Sequence, residues 1–188
     1  MPSSPENRKP SHRLDPRKPL VLDTRELGRR PGSMRELEVT VPAPEHLGVE
    51  LVGVRAGSEV NLELRLESVM EGVLVSGAAS AALSGECGRC LDTVEDRLTV
   101  DLQELFVYPG SEVTEDEASR LEGDLLDLEP VLRDAVVLAL PLTPLCRPDC
   151  GGLCVQCGER LDDLPPGHSH DSADPRWDAL RTLIDRPT

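Results

Sequence analysis

Six cysteines fall into two groups that are far apart in the sequence, and this spacing constrains the fold more than any other feature of the chain. Cys87 and Cys90 form a C-x-x-C pair, whereas residues 146–157 form a C-x3-C-x3-C-x2-C segment. A tight two-residue turn lets two thiolates reach one ion at about 2.3 Å, the distance that zinc requires. Two such pairs in one chain therefore predict a metal site, with zinc as a structural cofactor.

The choice of ligands stays open, because a structural zinc site takes four ligands and the chain offers six thiols. One solution uses only the four cysteines of the second group. The other pairs Cys87 and Cys90 with two of the later cysteines, since the entropic cost of closing a loop grows slowly with its length. His168 and His170 can complete a variant of either set, but histidines in a loop rich in proline and glycine are more often solvated, so we leave them out. The candidate metal ligands are Cys87, Cys90, Cys146, Cys150, Cys154 and Cys157.

Other uses of these thiols fit the sequence less well. Residues 1–7 are polar and lead into basic residues, without the apolar segment of a secretory signal. We therefore expect a cytoplasmic protein, in which paired cysteines indicate metal or redox chemistry rather than disulfides. A redox C-x-x-C is expected at the start of a helix in a βαβ unit, and neither pair has that setting. Reduced cysteines that only pack as small buried side chains are the remaining alternative.

Formal charge divides the chain into a basic arm and an acidic body. The whole chain has 20 basic and 35 acidic residues and a net charge of −15. Residues 1–35 hold nine basic and four acidic residues, a net charge of +5, so residues 36–188 carry −20. Such an arm can contact phosphate while the body attracts a basic protein, or the arm can fold back on its own body. Aromatic residues make up only 2% of the chain, which argues against a stacking platform for single-stranded nucleic acid.

Alternating side chains predict an antiparallel sheet between residues 34 and 108. Residues 59–67 are apolar at every second position, beginning at Val60, which is typical of a strand with one buried face. Shorter apolar patterns over 39–41, 51–54, 73–75 and 98–108 predict further strands, and residues 78–83 are expected to continue extended from 73–75. We expect an α+β fold, with an antiparallel β meander or open barrel-like sheet followed by helices and a Cys-rich, zinc-binding-like C-terminal segment.

The remaining elements follow from capping and turn signals. Asp127 can cap a helix that has Pro130 in its first turn and that Pro141 ends, and Asp174 with Pro175 repeats the start signal for a terminal helix. Residues 20–28 are expected to dock as a strand or turn, and residues 110–124 to form an exposed loop or short helix. The predicted buried face of the first helix consists of Leu132, Val136 and Ala139 or Leu140.

Composition suggests three parts. Residues 1–19 hold five prolines among polar and charged residues, which predicts a disordered leader. Residues 20–141 are expected to form a mainly β domain with its closing helix, and residues 142–188 a Cys-rich segment and terminal helix. No run approaches the roughly 20 apolar residues of a membrane-spanning helix, so no membrane partner is expected.

Several of these motifs resemble those of the bacterial YceD family, in its high-GC Gram-positive branch. The resemblance covers roughly residues 20–185, with the order and spacing of the motifs maintained. The matching segments are LDTRELGRRPG at 22–32, CGRC at 87–90, LPLTPLC at 140–146, CGGLC at 150–154, CG at 157–158 and DPRW at 174–177. The family is named for large ribosomal RNA subunit accumulation, and its genes typically neighbour that of a zinc-ribbon-type ribosomal protein.

The resemblance implies a non-enzymatic factor that supports 23S ribosomal RNA accumulation and large ribosomal subunit assembly. Its implied partners are a ribosomal RNA precursor, a basic large-subunit ribosomal protein, or both. Relatives with a reduced second cysteine group favour a metal site that includes Cys87 and Cys90. The candidate RNA contacts lie in the basic arm and are Arg25, Arg29, Arg30 and Arg35.

Two other functions are compatible with the residues. One is a zinc-dependent or thiol-redox enzyme, and the other is an acidic protein-interaction regulator unrelated to ribosomes. No acidic residue pairs convincingly with a histidine or a nucleophile, and Gly151 and Gly152 lack the lysine and flanking elements of a phosphate loop. We therefore expect that the protein is not an enzyme and has no catalytic residues.

Overall fold

The computed structural model describes residues 14–111 and 119–170. Within these ranges the chain forms nine strands, one α-helix and two short 3-10 turns, Arg25–Leu27 and Leu161–Asp163. The terminal helix expected at Asp174 lies outside the described residues. The regular elements are β1 (Val21–Asp23), β2 (Met34–Pro42), β3 (Leu47–Gly48), β4 (Val52–Val54), β5 (Glu59–Ser68), β6 (Gly72–Glu86), β7 (Thr93–Val107), β8 (Ser119–Arg120), β9 (Leu125–Asp127) and α1 (Glu129–Ala139).

Seven of the strands form one open sheet, which confirms the expected fold class. β2 pairs with β5, β5 with β6, and β6 with β7, all antiparallel, and the short β8 adds to β7 in parallel. β4 pairs with the far end of β6 beyond β5, and β3 pairs with β4. Since the described residues show no pairing between the two outer edges, the sheet is open and not a closed barrel.

Alternation along β5 sorts its side chains to the two faces of the sheet, as predicted. Val60, Leu62, Leu64 and Leu66 are buried, whereas the residues between them are mostly exposed. A strand with this period has one face in the core and one in solvent. The outer face of the sheet is therefore polar and charged.

The predicted strand at 73–75 continues extended through 78–83, as expected, and both segments belong to the 15-residue β6. Gly77 lies between them and separates the apolar patterns in the sequence. A Cβ at Gly77 would lie 2.0 Å from the carbonyl oxygen of Glu63 in β5. The absence of a side chain at Gly77 therefore lets β5 and β6 stay in register across this point.

Helix α1 covers the apolar face, as its sequence predicted. The carboxylate of Asp127 accepts a hydrogen bond of 3.0 Å from the backbone N–H of Glu129, and Pro130 lies in the first turn. No helix within the described residues combines the length and apolarity needed to cross a membrane. The residues that α1 and its end bury in the core are Leu132, Val136 and Leu140.

The described part of the basic arm folds back on the body. β1 pairs with β9, and Leu20 and Leu27 are buried in the main core. Residues 14–19 form turns, and the backbone N–H of Leu14 donates to a carboxylate oxygen of Glu122 at 2.8 Å. Residues 1–13 of the expected disordered leader lie outside the described ranges.

Residues 110–124 were expected to form an exposed loop or short helix, but the described end of this segment contains a short strand and a buried residue. Ser119 and Arg120 pair with β7, and Leu121 is buried. Acidic residues dominate this part of the sequence, so its pattern does not reveal that Leu121 is buried. Residues 112–118 are outside the described part of the chain.

Candidate metal centre

The loop of the β6–β7 hairpin carries the first cysteine pair. The last residues that pair across the hairpin are Glu86 and Thr93, so residues 87–92 form the loop. The backbone N–H of Leu91 donates to the carbonyl of Cys87 at 2.9 Å, and the N–H of Cys87 donates to the carbonyl of Asp92 at 2.7 Å. These two bonds close a compact turn that holds Cys87 and Cys90 on the same side.

The chain that follows α1 packs against this loop through backbone groups. The N–H of Gly88 donates to the carbonyl of Pro144 at 2.8 Å, and the N–H of Leu153 donates to the carbonyl of Arg89 at 3.1 Å. The Arg89 guanidinium donates in turn to the carbonyl of Cys150 at 2.9 Å. Residues 144–153 are thus fixed on the hairpin loop from both ends.

Four sulfur atoms converge where these segments meet. The Sγ atoms of Cys87, Cys90, Cys146 and Cys150, here called the tetrad, all lie within 4.8 Å of one another. Cys87 Sγ lies 3.9 Å from Cys150 Sγ, and Cys90 Sγ lies 3.5 Å from Cys146 Sγ. All four cysteines are free thiols, and all but Cys146 are buried. Four thiolates bound to one tetrahedral ion at about 2.3 Å would be about 3.8 Å apart, so the donor set fits zinc.

The pKa values within the tetrad diverge because neighbouring thiols cannot all ionise. Burial opposes the charge on Cys87, but hydrogen bonds from the backbone at Cys146, Cys90 and Arg89 outweigh it and lower the pKa of that thiol to about 6. A backbone hydrogen bond at Asp92 favours the Cys90 thiolate, yet burial and the neighbouring thiols outweigh it and raise its pKa to about 12. Without an ion the tetrad therefore favours a thiolate at Cys87 and a protonated thiol at Cys90, which a bound cation would help to ionise.

The tetrad combines Cys87 and Cys90 with two of the later cysteines, which is the second of the two ligand sets that the sequence allowed. Cys154 and Cys157 do not belong to it. They lie beside His168 and His170, and the four ligand atoms of this group also lie within 4.8 Å of one another. Backbone hydrogen bonds at Cys157 and Gln156 lower the pKa of Cys154 to about 6.

Sequence reasoning left out the two histidines, although a signal for one of them was present. Residues 165–168 read Pro-Pro-Gly-His, and the N–H of His168 donates to the carbonyl of Pro165 at 3.1 Å. Gly167 has φ of 82°, which the third position of a type II turn requires. The Pro-Gly pair therefore forms a hydrogen-bonded turn that ends at His168, a structure that the sequence signal could have predicted.

Three of the four candidate RNA contacts lie in ion pairs with carboxylates, and two of these, Arg25 and Arg35, pair with residues of the arm itself. The Arg25 guanidinium binds Asp23, and this hydrogen bond lowers the pKa of the Asp23 carboxyl. Arg35 lies 3.2 Å from a carboxylate oxygen of Glu26. Much of the positive charge of these two residues is therefore balanced within the arm.

The other two arginines differ from each other. Arg29 lies 3.6 Å from a carboxylate oxygen of Asp124, and its guanidinium stands 4.9 Å from the centroid of the Tyr108 ring. Arg30 is exposed and forms no ion pair with any residue that the structure describes. Arg30 is thus the least neutralised of the four candidates.

Comparison with known proteins identifies the family of the chain and four curated relatives. The family model described as "Large ribosomal RNA subunit accumulation protein YceD" matches residues 75–184, a span that contains the whole tetrad. Uncharacterized proteins of Mycobacterium tuberculosis and Mycobacterium bovis are each 49% identical to the chain over 88% of its length and 82% of theirs. An uncharacterized protein of Mycobacterium leprae is 45% identical over 88% of this chain and 78% of its own. No solved structure matches the chain.

Proposed function

Because the chain belongs to the YceD family of large ribosomal RNA subunit accumulation proteins, we propose that it is a non-enzymatic cytoplasmic factor that supports 23S ribosomal RNA accumulation and large ribosomal subunit assembly. The family match over residues 75–184 is the observation that carries this proposal. The contacts of the described residues support two parts of it, a structural ion and an acidic face for a basic protein. In the proposed RNA-binding arm, three of the four candidate arginines are paired with carboxylates and Arg30 is exposed without an ion pair to a described residue.

The structural ion is zinc held by the tetrad. Four thiolates complete a tetrahedral coordination shell, which leaves no position for a substrate and supports a non-enzymatic role. The ion joins the hairpin loop to residues 144–153, two segments that are also linked by backbone hydrogen bonds and by the bond from the Arg89 guanidinium to the carbonyl of Cys150. Binding of zinc contributes directly to the stability of such a junction.

Replacement of one buried ligand tests this part. In the full chain, Cys150→Ser is expected to abolish zinc binding at the tetrad and to increase hydrogen exchange in residues 144–153, while exchange in the middle of β5 and β6 changes little. Cys157→Ser is the matched control for the four-sulfur site, which it should leave in place, since Cys157 is exposed and lies outside the tetrad. Retention of a four-sulfur zinc signal by X-ray absorption in Cys150→Ser would contradict the assignment.

The outer face of the sheet supports a basic protein as partner. One row of paired positions crosses four strands of this face. Glu38 in β2 lies opposite Glu63 in β5. Ala78 in β6 follows in the row, between Glu63 and Asp101 in β7. The three carboxylates are exposed and form no ion pair with any described residue. Like charges directly opposite one another repel, so this acidic row gains from a partner that brings positive charge.

Charge reversal along this row tests the surface. Replacement of Glu38, Glu63 and Asp101 by lysine is expected to reduce co-sedimentation with large-subunit precursors at physiological salt. The matched control reverses three exposed carboxylates in turns away from the row, Glu45, Glu50 and Glu71. Equal losses in both triple variants would mean that net charge matters and the row does not.

The function itself is tested in cells. Depletion of the protein is expected to lower the ratio of 23S to 16S ribosomal RNA and to accumulate particles lighter than the mature large subunit. The wild-type gene should restore both. An unchanged ratio together with a normal gradient profile would overturn the proposal, whatever metal the chain binds.

A further inference from the structure

The second C-x-x-C turn repeats the backbone structure of the first. The N–H of Gly158 donates to the carbonyl of Cys154 at 2.8 Å, and the N–H of Cys154 donates to the carbonyl of Glu159 at 2.8 Å. These bonds join the same relative positions, four and five residues apart, as those of the hairpin loop. The residue after the second cysteine has positive φ in both turns, 63° at Leu91 and 75° at Gly158.

The thiols are also presented in the same way. The sulfur of Cys154 is hydrogen-bonded to the backbone at Gln156 and Cys157, two and three residues later. In the hairpin loop, the first cysteine of the pair is hydrogen-bonded to the backbone at the same two relative positions. Backbone N–H groups directed at sulfur stabilise a thiolate that binds a metal. The second turn therefore has the form of a metal-binding turn although it takes no part in the tetrad.

Two imidazoles complete this group from the other side. His168 Nε2 lies 3.7 Å from Cys157 Sγ and 2.8 Å from His170 Nε2. One ring nitrogen of each imidazole therefore lies in the same region as the two sulfur atoms, with the ring planes nearly perpendicular, at 89°. Two thiolates and two imidazoles are a donor set that tetrahedral zinc takes readily.

We propose that Cys154, Cys157, His168 and His170 form a second zinc centre, independent of the tetrad. The chain then binds two ions through eight different side chains. The second ion fixes residues 164–170 against the second turn, as the first fixes residues 144–153 against the hairpin loop.

The two centres differ in their access to water. In the tetrad only Cys146 is partly accessible, whereas in the second group Cys157 and His170 are exposed and the other two ligands are partly accessible. A chelator can reach an exposed ion directly, while a buried ion requires that the surrounding segments open first. The second centre therefore exchanges its ion faster, and the order of residues 164–170 depends on the zinc available.

Metal counting on the full chain, purified without a histidine tag, tests the proposal. Native mass spectrometry after loading with Zn²⁺ alone should give two ions per chain. His168→Ala combined with His170→Ala should give one, and His46→Asn, which removes an exposed histidine elsewhere, should give two. With a chromogenic chelator the wild type should lose its ions in two phases, and the double histidine variant should lack the fast phase.

Cobalt identifies which centre is lost. With Co²⁺ in place of zinc, the double histidine variant should retain the strong sulfur-to-metal absorption of a four-thiolate site. One ion in the wild type, or two ions and an unchanged fast phase in the double variant, would overturn the proposal. Loss of both ions from the double variant would also overturn it, because the centres would then not be independent. None of these outcomes bears on the ribosomal role, which the depletion experiment tests separately.

Discussion

Leu91 and Gly158 occupy the same position in two copies of one cysteine turn, and both have positive φ, 63° and 75°. Only one of them is glycine. A residue with a Cβ is strained in this region, and Leu91 is 59% exposed, so its side chain gains little from packing in return.

This relationship predicts that two substitutions change the free energy of unfolding to different extents. Gly158→Ala should lower the free energy of unfolding by about 1 kcal/mol, because it introduces strain at positive φ. Leu91→Gly should leave the free energy of unfolding nearly unchanged, since relief of strain is offset by greater freedom of the unfolded chain. Urea unfolding of the zinc-loaded chain measures both. Similar losses in the two variants would show that the two turns are not equivalent.

Zinc binding to the tetrad should release protons at pH 7. Without an ion, the Cys87 thiol is mostly ionised above its pKa of about 6, whereas the raised pKa values of Cys90 and Cys146 keep those thiols protonated. Because zinc binds thiolates, it must displace those protons, and below pH 6 it must displace the Cys87 proton as well. Affinity should therefore fall as pH falls, and more steeply below about pH 6.

Calorimetry in buffers with different ionisation enthalpies measures the protons released. The double histidine variant serves here, so that only the tetrad contributes. A binding enthalpy at pH 7 that does not depend on the buffer would contradict the expected ionisation states.

Gly77→Ala should strongly destabilise the sheet. The new Cβ would lie 2.0 Å from the carbonyl oxygen of Glu63, a backbone atom that cannot move without separating β5 from β6. We expect the free energy of unfolding to fall by about 3 kcal/mol. Gly110→Ala is the control, because a Cβ there meets no atom within 4 Å and only the positive φ is unfavourable. An equally small loss in both variants would exclude the steric explanation.

Arg30→Ala should weaken RNA association without affecting the fold. Arg30 is exposed and unpaired among the described residues, so its full charge is available to a phosphate. Loss of one phosphate contact should reduce the slope of log affinity against log salt by about 1. Arg65→Ala is the control, since Arg65 lies on the sheet and pairs with Glu67 at 3.0 Å. Unchanged binding of ribosomal RNA fragments at low salt would remove Arg30 from the proposed interface.

The parts of the fold that sequence predicted are those governed by short-range rules. The period of two along β5 and the apolar face of α1 each depend on residues within one element, so local sequence was sufficient. The sequence predicted that the chain stays extended from 73–75 into 78–83, as β6 does, but only the close approach of β5 explains why a glycine lies between these two segments. Leu121 was missed because a single apolar residue in an acidic segment has no period to reveal it.

The conformation of the described part of the arm could not be predicted from its charge. Its charge is consistent both with an extended segment and with one folded on the body, because charge alone does not indicate which carboxylates are near. The structure decides this through Leu20 and Leu27, which bury apolar surface in the core. That burial brings Arg29 to Asp124 and leaves Arg30 exposed.

The sequence by itself determined that the chain has two cysteine turns able to present thiolates, since each turn needs only a few consecutive residues. It did not determine which other ligands each turn meets. The cost of closing a loop changes slowly with loop length, so Cys87 can reach a partner more than fifty residues away almost as readily as a nearer one. The tertiary structure decides which residues each turn meets. The packing of the chain after α1 on the β6–β7 hairpin places Cys146 and Cys150 beside the hairpin loop, whereas the second turn lies beside His168 and His170.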